Sequence, residues 1–258
     1  MEDVQNRIDR RGIPIDRVGI KGIKYPITVF DRDRGRQSTI AEINMYVDLS
    51  PTFKGTHMSR FVEVLNEFRD EFEMKRLPTI AREIRKRLNA AQSYLEVSFP
   101  YFVQRKAPVS HLPSIMEYSA QIVINAHNSK DIDIIVGVSV PVFTVCPCSK
   151  EISSEGAHNQ RAVLTIRVCT GDFVWIEELI EIAEQCASSE IYPLLKREDE
   201  KHITEKAYRN PVFVEDIVRN AALKLKADDR IDWFFVEVES MESIHNHNAY
   251  ASLEWSRT

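Results

Sequence analysis

Val18-Gly-Ile-Lys-Gly-Ile-Lys-Tyr-Pro-Ile-Thr-Val-Phe30 and Thr39-Ile-Ala-Glu-Ile-Asn-Met-Tyr-Val-Asp-Leu49 are two long apolar-rich runs, separated by the charged turn Asp31-Arg-Asp-Arg-Gly35. Branched and aromatic residues at this density read as strands, joined as a hairpin. From about Ser59 the period changes. Phe61, Leu65, Phe68 and Phe72 recur at spacings of four, three and four, which predicts a helix. A second helix begins near Pro78, a residue tolerated in a first turn, with Ile80, Ile84 and Leu88 on one face. Strands at 94–103 and 115–126 follow.

The same order then returns. Residues 134–145 and 162–169 read as strands. Asp172 is placed to cap a helix whose Ile176, Leu179, Ala183 and Cys186 share a face. Asn210-Pro211 reads as a cap and first-turn proline for a helix carrying Val214, Ile217, Val218, Ala221 and Leu225. Strands at 231–238 and 249–255 close the chain. Each half is thus strand, strand, helix, helix, strand, strand, although no residue-level repeat is visible. Short connections favour antiparallel sheets with helices on one face. The expectation is an α+β chain of two similar modules, 1–128 and 129–258, dividing near Asn128-Ser-Lys130.

With 258 residues the chain can bury one large core or two smaller ones. Its 43% hydrophobic and 28% charged content is ordinary for a folded soluble protein, so disorder is not expected. A net charge of -5 argues against nucleic acid or an anionic membrane as the main partner. A small anionic ligand needs only a local basic cluster and stays open. Met1-Glu-Asp-Val-Gln-Asn-Arg7 has no apolar signal core. The longest uncharged run, 134–149, spans 16 residues and is broken by Gly137, Pro141 and Pro147. It is too short for a membrane helix, and a cytoplasmic location is expected.

Cys146-Pro-Cys-Ser-Lys150, with His158 ten positions after the second cysteine, brings two thiols and an imidazole within thirteen residues. Sulfur and nitrogen at short spacing suit a divalent transition metal. His245 and His247, near the C-terminus, could complete such a site. In extended chain Cys146 and Cys148 would share a face, and so would the two histidines. The same spacing also suits a polar loop whose histidines bond the backbone. Cys169 and Cys186 fall on apolar faces and read as core.

Two further stretches are chemically rich. Lys196-Arg-Glu-Asp-Glu-Lys-His202 offers three carboxylates, though such a run usually marks a solvated face or a helix start. Phe53-Lys-Gly-Thr-His-Met-Ser-Arg60 gathers Lys54, His57, Ser59 and Arg60 before a helix, where free N–H groups favour phosphate. Thr56 or Ser59 capping that helix is the alternative. Glu215 should face away from the core, and its spacing gives it no special role.

Taken together, these stretches, with Gly156-Ala-His-Asn-Gln-Arg161 and Glu242-Ser-Ile-His-Asn-His-Asn248, resemble the type IB GTP cyclohydrolase family. The resemblance implies the tunnelling fold, with two modules (each ββααββ) per chain in a homotetramer whose sites lie at subunit interfaces. It also implies conversion of GTP and water to 7,8-dihydroneopterin triphosphate and formate, the first step of tetrahydrofolate-type pterin synthesis. By that resemblance Cys146, His158, Glu200 and His245 hold a divalent ion, Mn²⁺, Fe²⁺ or Zn²⁺. Glu215 anchors guanine by accepting from N1–H and the exocyclic amine, and adenine is rejected by up to ~10⁴-fold. Lys54, His57, Ser59 and Arg60 hold the triphosphate from a neighbouring subunit. Cys146 belongs to the catalytic set, and Cys148 and His247 are left for proton transfer or support. Two other readings are a relative that makes a cyclic phosphate product and a non-catalytic purine- or pterin-binding protein of the same fold.

Overall fold

A computed structural model describes residues 5, 7–69, 73–127 and 132–257. The anticipated boundary at 128–130 and the helix position Phe72 lie outside these residues. The chain forms two compact units. One comprises Met1–Phe99 with Gln121–Ile135, the other Pro100–Ala120 with Val136–Thr258.

In the first unit β1 (Ile15–Asp31) and β2 (Gly35–Leu49) form the expected hairpin, paired from Ile15 opposite Leu49 to Asp31 opposite Gly35 with register shifts between Ile15 and Val18 and between Ile20 and Ile23. The Asp31 carboxylate accepts from the backbone of Asp33 and Arg34, which holds the turn. β2 also pairs antiparallel with β3 (Ser93–Lys106), and β4 (Pro113–Ala126) and β5 (Ile132–Val145) continue the order. Burial alternates along β2: Ala41, Ile43, Met45, Val47 and Leu49 point inward. Each large apolar side chain removed from water in this way contributes roughly 1.5–3 kcal/mol. Helices α1 (Met58–Glu67) and α2 (Leu77–Arg87) supply Phe61, Val64, Leu65, Ile80 and Ile84 to the same core. Pro78 falls in the first turn of α2, as its fixed φ favours.

In the second unit the order runs β3-β4-β5-β6-β8-β9, with the short β7 (Ser189–Glu190) on β5. β6 is Asn159–Thr170, β8 Ile231–Ser240 and β9 Ala249–Ser256. β6 and β8 pair antiparallel from Ala162 opposite Ser240 to Thr170 opposite Ile231. Among the described residues four helices belong to this unit: α3 (Pro147–Ile152), α4 (Ile176–Cys186), α5 (Arg197–Arg209) and α6 (Val214–Lys226). Antiparallel strands with helices on one face give the α+β class expected.

Three local readings need correction. Asp172 does not cap α4; the helix begins after Trp175, whose N–H donates to the Glu178 carboxylate. Asn210 closes α5 instead of opening α6, and its side chain donates to the Ala187 carbonyl. Cys169 is only half-buried, whereas Cys186 is core. Among the described residues no helix is long and apolar enough to cross a membrane.

Candidate active site

β5 ends at Val145 and the next residue turns the chain. Cys146 is extended, with φ −70° and ψ 120°, and serves as the N-cap of α3 with Pro147 in its first turn. A proline has no N–H to lose there, so Cys-Pro is a natural helix start. The Cys146 sulfur accepts from the Ser149 N–H at 3.4 Å. The Ser149 hydroxyl accepts from the His158 N–H at 3.1 Å, and the Cys146 N–H donates to the His158 carbonyl at 3.1 Å. Ser149 thereby ties Cys146 and His158 into one rigid corner. The helical turn also overturns the idea that Cys146 and Cys148 share an extended face: Cys148 lies within α3 and is exposed.

A cavity of about 280 Å³ opens beside this corner. Cys146, His158, Glu215, Glu242, His245 and His247 all line it. His158 is the residue immediately before β6, and His245 and His247 come from the turn between β8 and β9. The His245 and His247 rings stack at 5.1 Å, and the His158 ring meets His245 edge-on at 6.4 Å. His158 Nδ1 lies 2.9 Å from the Gln160 amide oxygen, and the Gln160 amide donates to Glu242 at 3.2 Å. The Ser240 hydroxyl donates to the same Glu242 oxygen at 3.0 Å. Sequence reasoning gives Gln160 and Glu242 no role, though both sit inside the motifs that carry the resemblance.

Glu215 reaches the cavity because of the corrected boundary between α5 and α6. Residues 211–213 run as a connector, and the Val212 N–H donates to the Val145 carbonyl at 3.2 Å. That bond sets the start of α6 beside the end of β5. Glu215 stands in the first turn of α6, off the apolar face as its spacing implied.

Glu200 and Cys148 do not line this cavity. Glu200 is exposed in the first turn of α5, a helix held by its neighbour Asp199. The buried Asp199 carboxylate accepts from the Val109 and Ser110 N–H groups at 2.9 Å each, the Ser110 hydroxyl at 2.7 Å and the Lys196 N–H at 2.9 Å. Among the described residues no three His, Cys, Asp or Glu side chains are drawn close enough in this conformation to hold a metal ion. As chemistry, the donors still fit one: a thiol and imidazoles on one cavity suit a borderline divalent cation.

The basic cluster belongs to the first unit. His57 is the N-cap of α1 and makes no side-chain capping bond, so neither Thr56 nor Ser59 caps the helix. His57 and Arg60 line a cavity of about 380 Å³ with Asp48, Ser50 and Asn89, and Arg60 donates to the Arg87 carbonyl at 3.3 Å. Lys54 and Ser59 are outside its lining.

An α+β chain with these antiparallel strands has the fold of the urate oxidases. It aligns with uricase from Arthrobacter globiformis at a TM-score of 0.56 and 8% identity, over 94% of this chain and 93% of that one. Urate oxidase from Bacillus subtilis 168 gives 0.54 and 8%, over 93% and 98%. At such identity the likeness concerns the fold alone. The sequence is more specific. The family model described as type I GTP cyclohydrolase folE2 matches residues 1–251. The protein named GTP cyclohydrolase FolE2 in Pelobacter propionicus is 52% identical over 257 residues, 100% of this chain and 99% of the relative. Its counterpart in Citrifermentans bemidjiense is 54% identical over 257 residues, 100% and 96%. The chain belongs to the type I GTP cyclohydrolase FolE2 family.

Proposed function

We propose that the chain converts GTP and water to 7,8-dihydroneopterin triphosphate and formate, the opening reaction of folate-type pterin synthesis, in the cytoplasm. The observation that carries this is the cavity itself, where Cys146, His158 and His245 stand with Glu215 on one wall. Cys146, His158, His245 and Glu200 would hold a divalent ion, Mn²⁺, Fe²⁺ or Zn²⁺. When bound, such an ion lowers the pKa of a water and polarises the purine. Glu215 accepts from guanine N1–H and the exocyclic amine, a donor pair that adenine lacks. His247, on the cavity wall, holds or passes protons near the opening imidazole ring, and Cys148, outside the cavity lining, gives support. Lys54, His57, Ser59 and Arg60 bind the triphosphate from a neighbouring subunit. The assembly is a homotetramer of two tandem tunnelling-fold modules per chain, 1–128 and 129–258.

The test is direct. Purified protein given GTP and Mn²⁺ should release formate and yield a pterin that fluoresces after oxidation. Cys146→Ala and His245→Ala should each abolish both signals while circular dichroism stays unchanged. If the wild-type protein binds GTP and forms neither product, the reading is wrong. Diphosphate release during turnover, as a hydroxyl displaces it from the α-phosphorus, would point instead to a cyclic phosphate product.

A further inference from the structure

We infer that Gln160 is a positioning residue that fixes which ring nitrogen His158 presents to the cavity, resting on the proposed role of His158 as a metal ligand. A carboxylate oxygen can only accept. Glu242 Oε1 already takes the Ser240 hydroxyl at 3.0 Å, so the Gln160 atom 3.2 Å away must be the amide nitrogen. The reverse amide orientation would set two oxygens against each other with no hydrogen between them. Gln160 Oε1 therefore faces His158, where the Ser243 hydroxyl also donates to it at 3.4 Å. An amide oxygen only accepts, so at 2.9 Å His158 Nδ1 must carry the hydrogen. In the neutral ring the lone pair then sits on Nε2, the nitrogen left for the cavity.

The fold holds this relay in place. Gln160 lies on the inward-facing row of β6 with Ala162 and Leu164. Ala162 pairs with Ser240 of β8, which sets Gln160 beside the chain leaving β8 at Glu242. The His158 and Glu242 side chains are only 13% and 11% exposed, so water competes poorly for these bonds. Glu242 does not replace Gln160, because its other oxygen is 3.9 Å from His158 Nδ1, beyond hydrogen-bond reach.

Ring-nitrogen NMR of metal-free protein at alkaline pH tests the inference, with His158→Ala used to assign the His158 signals among the seven histidines. The wild-type protein should show the Nδ1–H form, and Gln160→Ala should lose that preference. In Mn²⁺ or Zn²⁺ titrations without GTP, Gln160→Ala should bind roughly 10–100-fold more weakly. Gln160→Glu alone would set two carboxylates against each other. Gln160→Glu combined with Glu242→Gln keeps an acceptor at Nδ1 and a hydrogen between the two side chains, and should restore the Nδ1–H form and most of the affinity. An Nε2–H form in the wild-type protein overturns the inference, as does unchanged tautomer and affinity in Gln160→Ala. The His158→Ala protein separates the two readings. If it binds metal as well as wild type, the ligand assignment fails, whereas the tautomer result still judges Gln160 alone.

Discussion

Cys148 and Cys186 illustrate how far environment outweighs residue type. Burial pushes the Cys186 thiol up to about 11, with Lys224 opposing only in part. At pH 7 its thiolate fraction is on the order of one in ten thousand. Cys148 is exposed within α3. In the native protein iodoacetamide should therefore modify Cys148 well before Cys186, and mass spectrometry of timed digests should show the difference vanish in urea. Glu215 supports a second expectation. On the guanine role proposed for Glu215, Glu215→Gln would replace an acceptor for two donors with a group that clashes with one of them. Two charge-assisted bonds correspond to a loss of roughly 10²–10⁴-fold in kcat/KM for GTP. Formate release measured against GTP concentration would show it, and wild-type efficiency in the Glu215→Gln protein would remove Glu215 from guanine recognition.

At the scale of elements, α5 is the least visible part of the sequence, because a dense charge run carries no apolar period to read. Its start is fixed by Asp199, a carboxylate that only the loop after β3 can explain. Burial raises the Asp199 pKa, but the Ser110 backbone and hydroxyl donors, with Lys196 and Val109, outweigh it and hold the group well below the carboxylate range. A pKa lowered on folding gives stability that is fully present above the ordinary value of 3.8 and is lost as pH falls below it. Asp199→Asn cannot titrate, so the wild-type advantage in urea midpoint should be complete at neutral pH and shrink below about 3.8. An advantage that stays constant under acid would exclude this account. In β1 the constraint is steric. A Cβ on Gly19 would lie 1.9 Å from the Met45 carbonyl oxygen and 2.8 Å from the Tyr46 Cα, both backbone atoms of β2. Gly19→Ala should therefore prise the hairpin apart, lowering stability by roughly 1–3 kcal/mol in urea titrations.

Across the whole molecule the strands are legible in the sequence and the site only half so, for one physical reason. Alternating burial writes β2, β6 and β8 into the sequence, but nothing in spacing says that β6 lies against β8. Only the pairing of Ala162 with Ser240 carries Gln160 to Glu242 and the histidines after β8 to His158. The spacing of thiols and imidazoles singles out Cys146, His158 and His245, and the resemblance adds Glu200 and Glu215, while the supporting Gln160 and Glu242 follow from the pairing alone. That division bears on what metal removal should do. Zinc fingers unfold without their ion because they lack a core of their own. Here Leu164, Ile166, Val168, Phe234, Val236 and Val238 are fully buried along β6 and β8, independently of any ligand. Chelation should accordingly abolish formate release yet leave the far-ultraviolet circular dichroism intact. Bound metal at a hundredfold excess over Kd adds about 2.7 kcal/mol, so the unfolding midpoint should fall by only several degrees. Collapse of the circular dichroism on chelation would instead mean that the ion holds the second unit together, making the Cys146 corner a structural site.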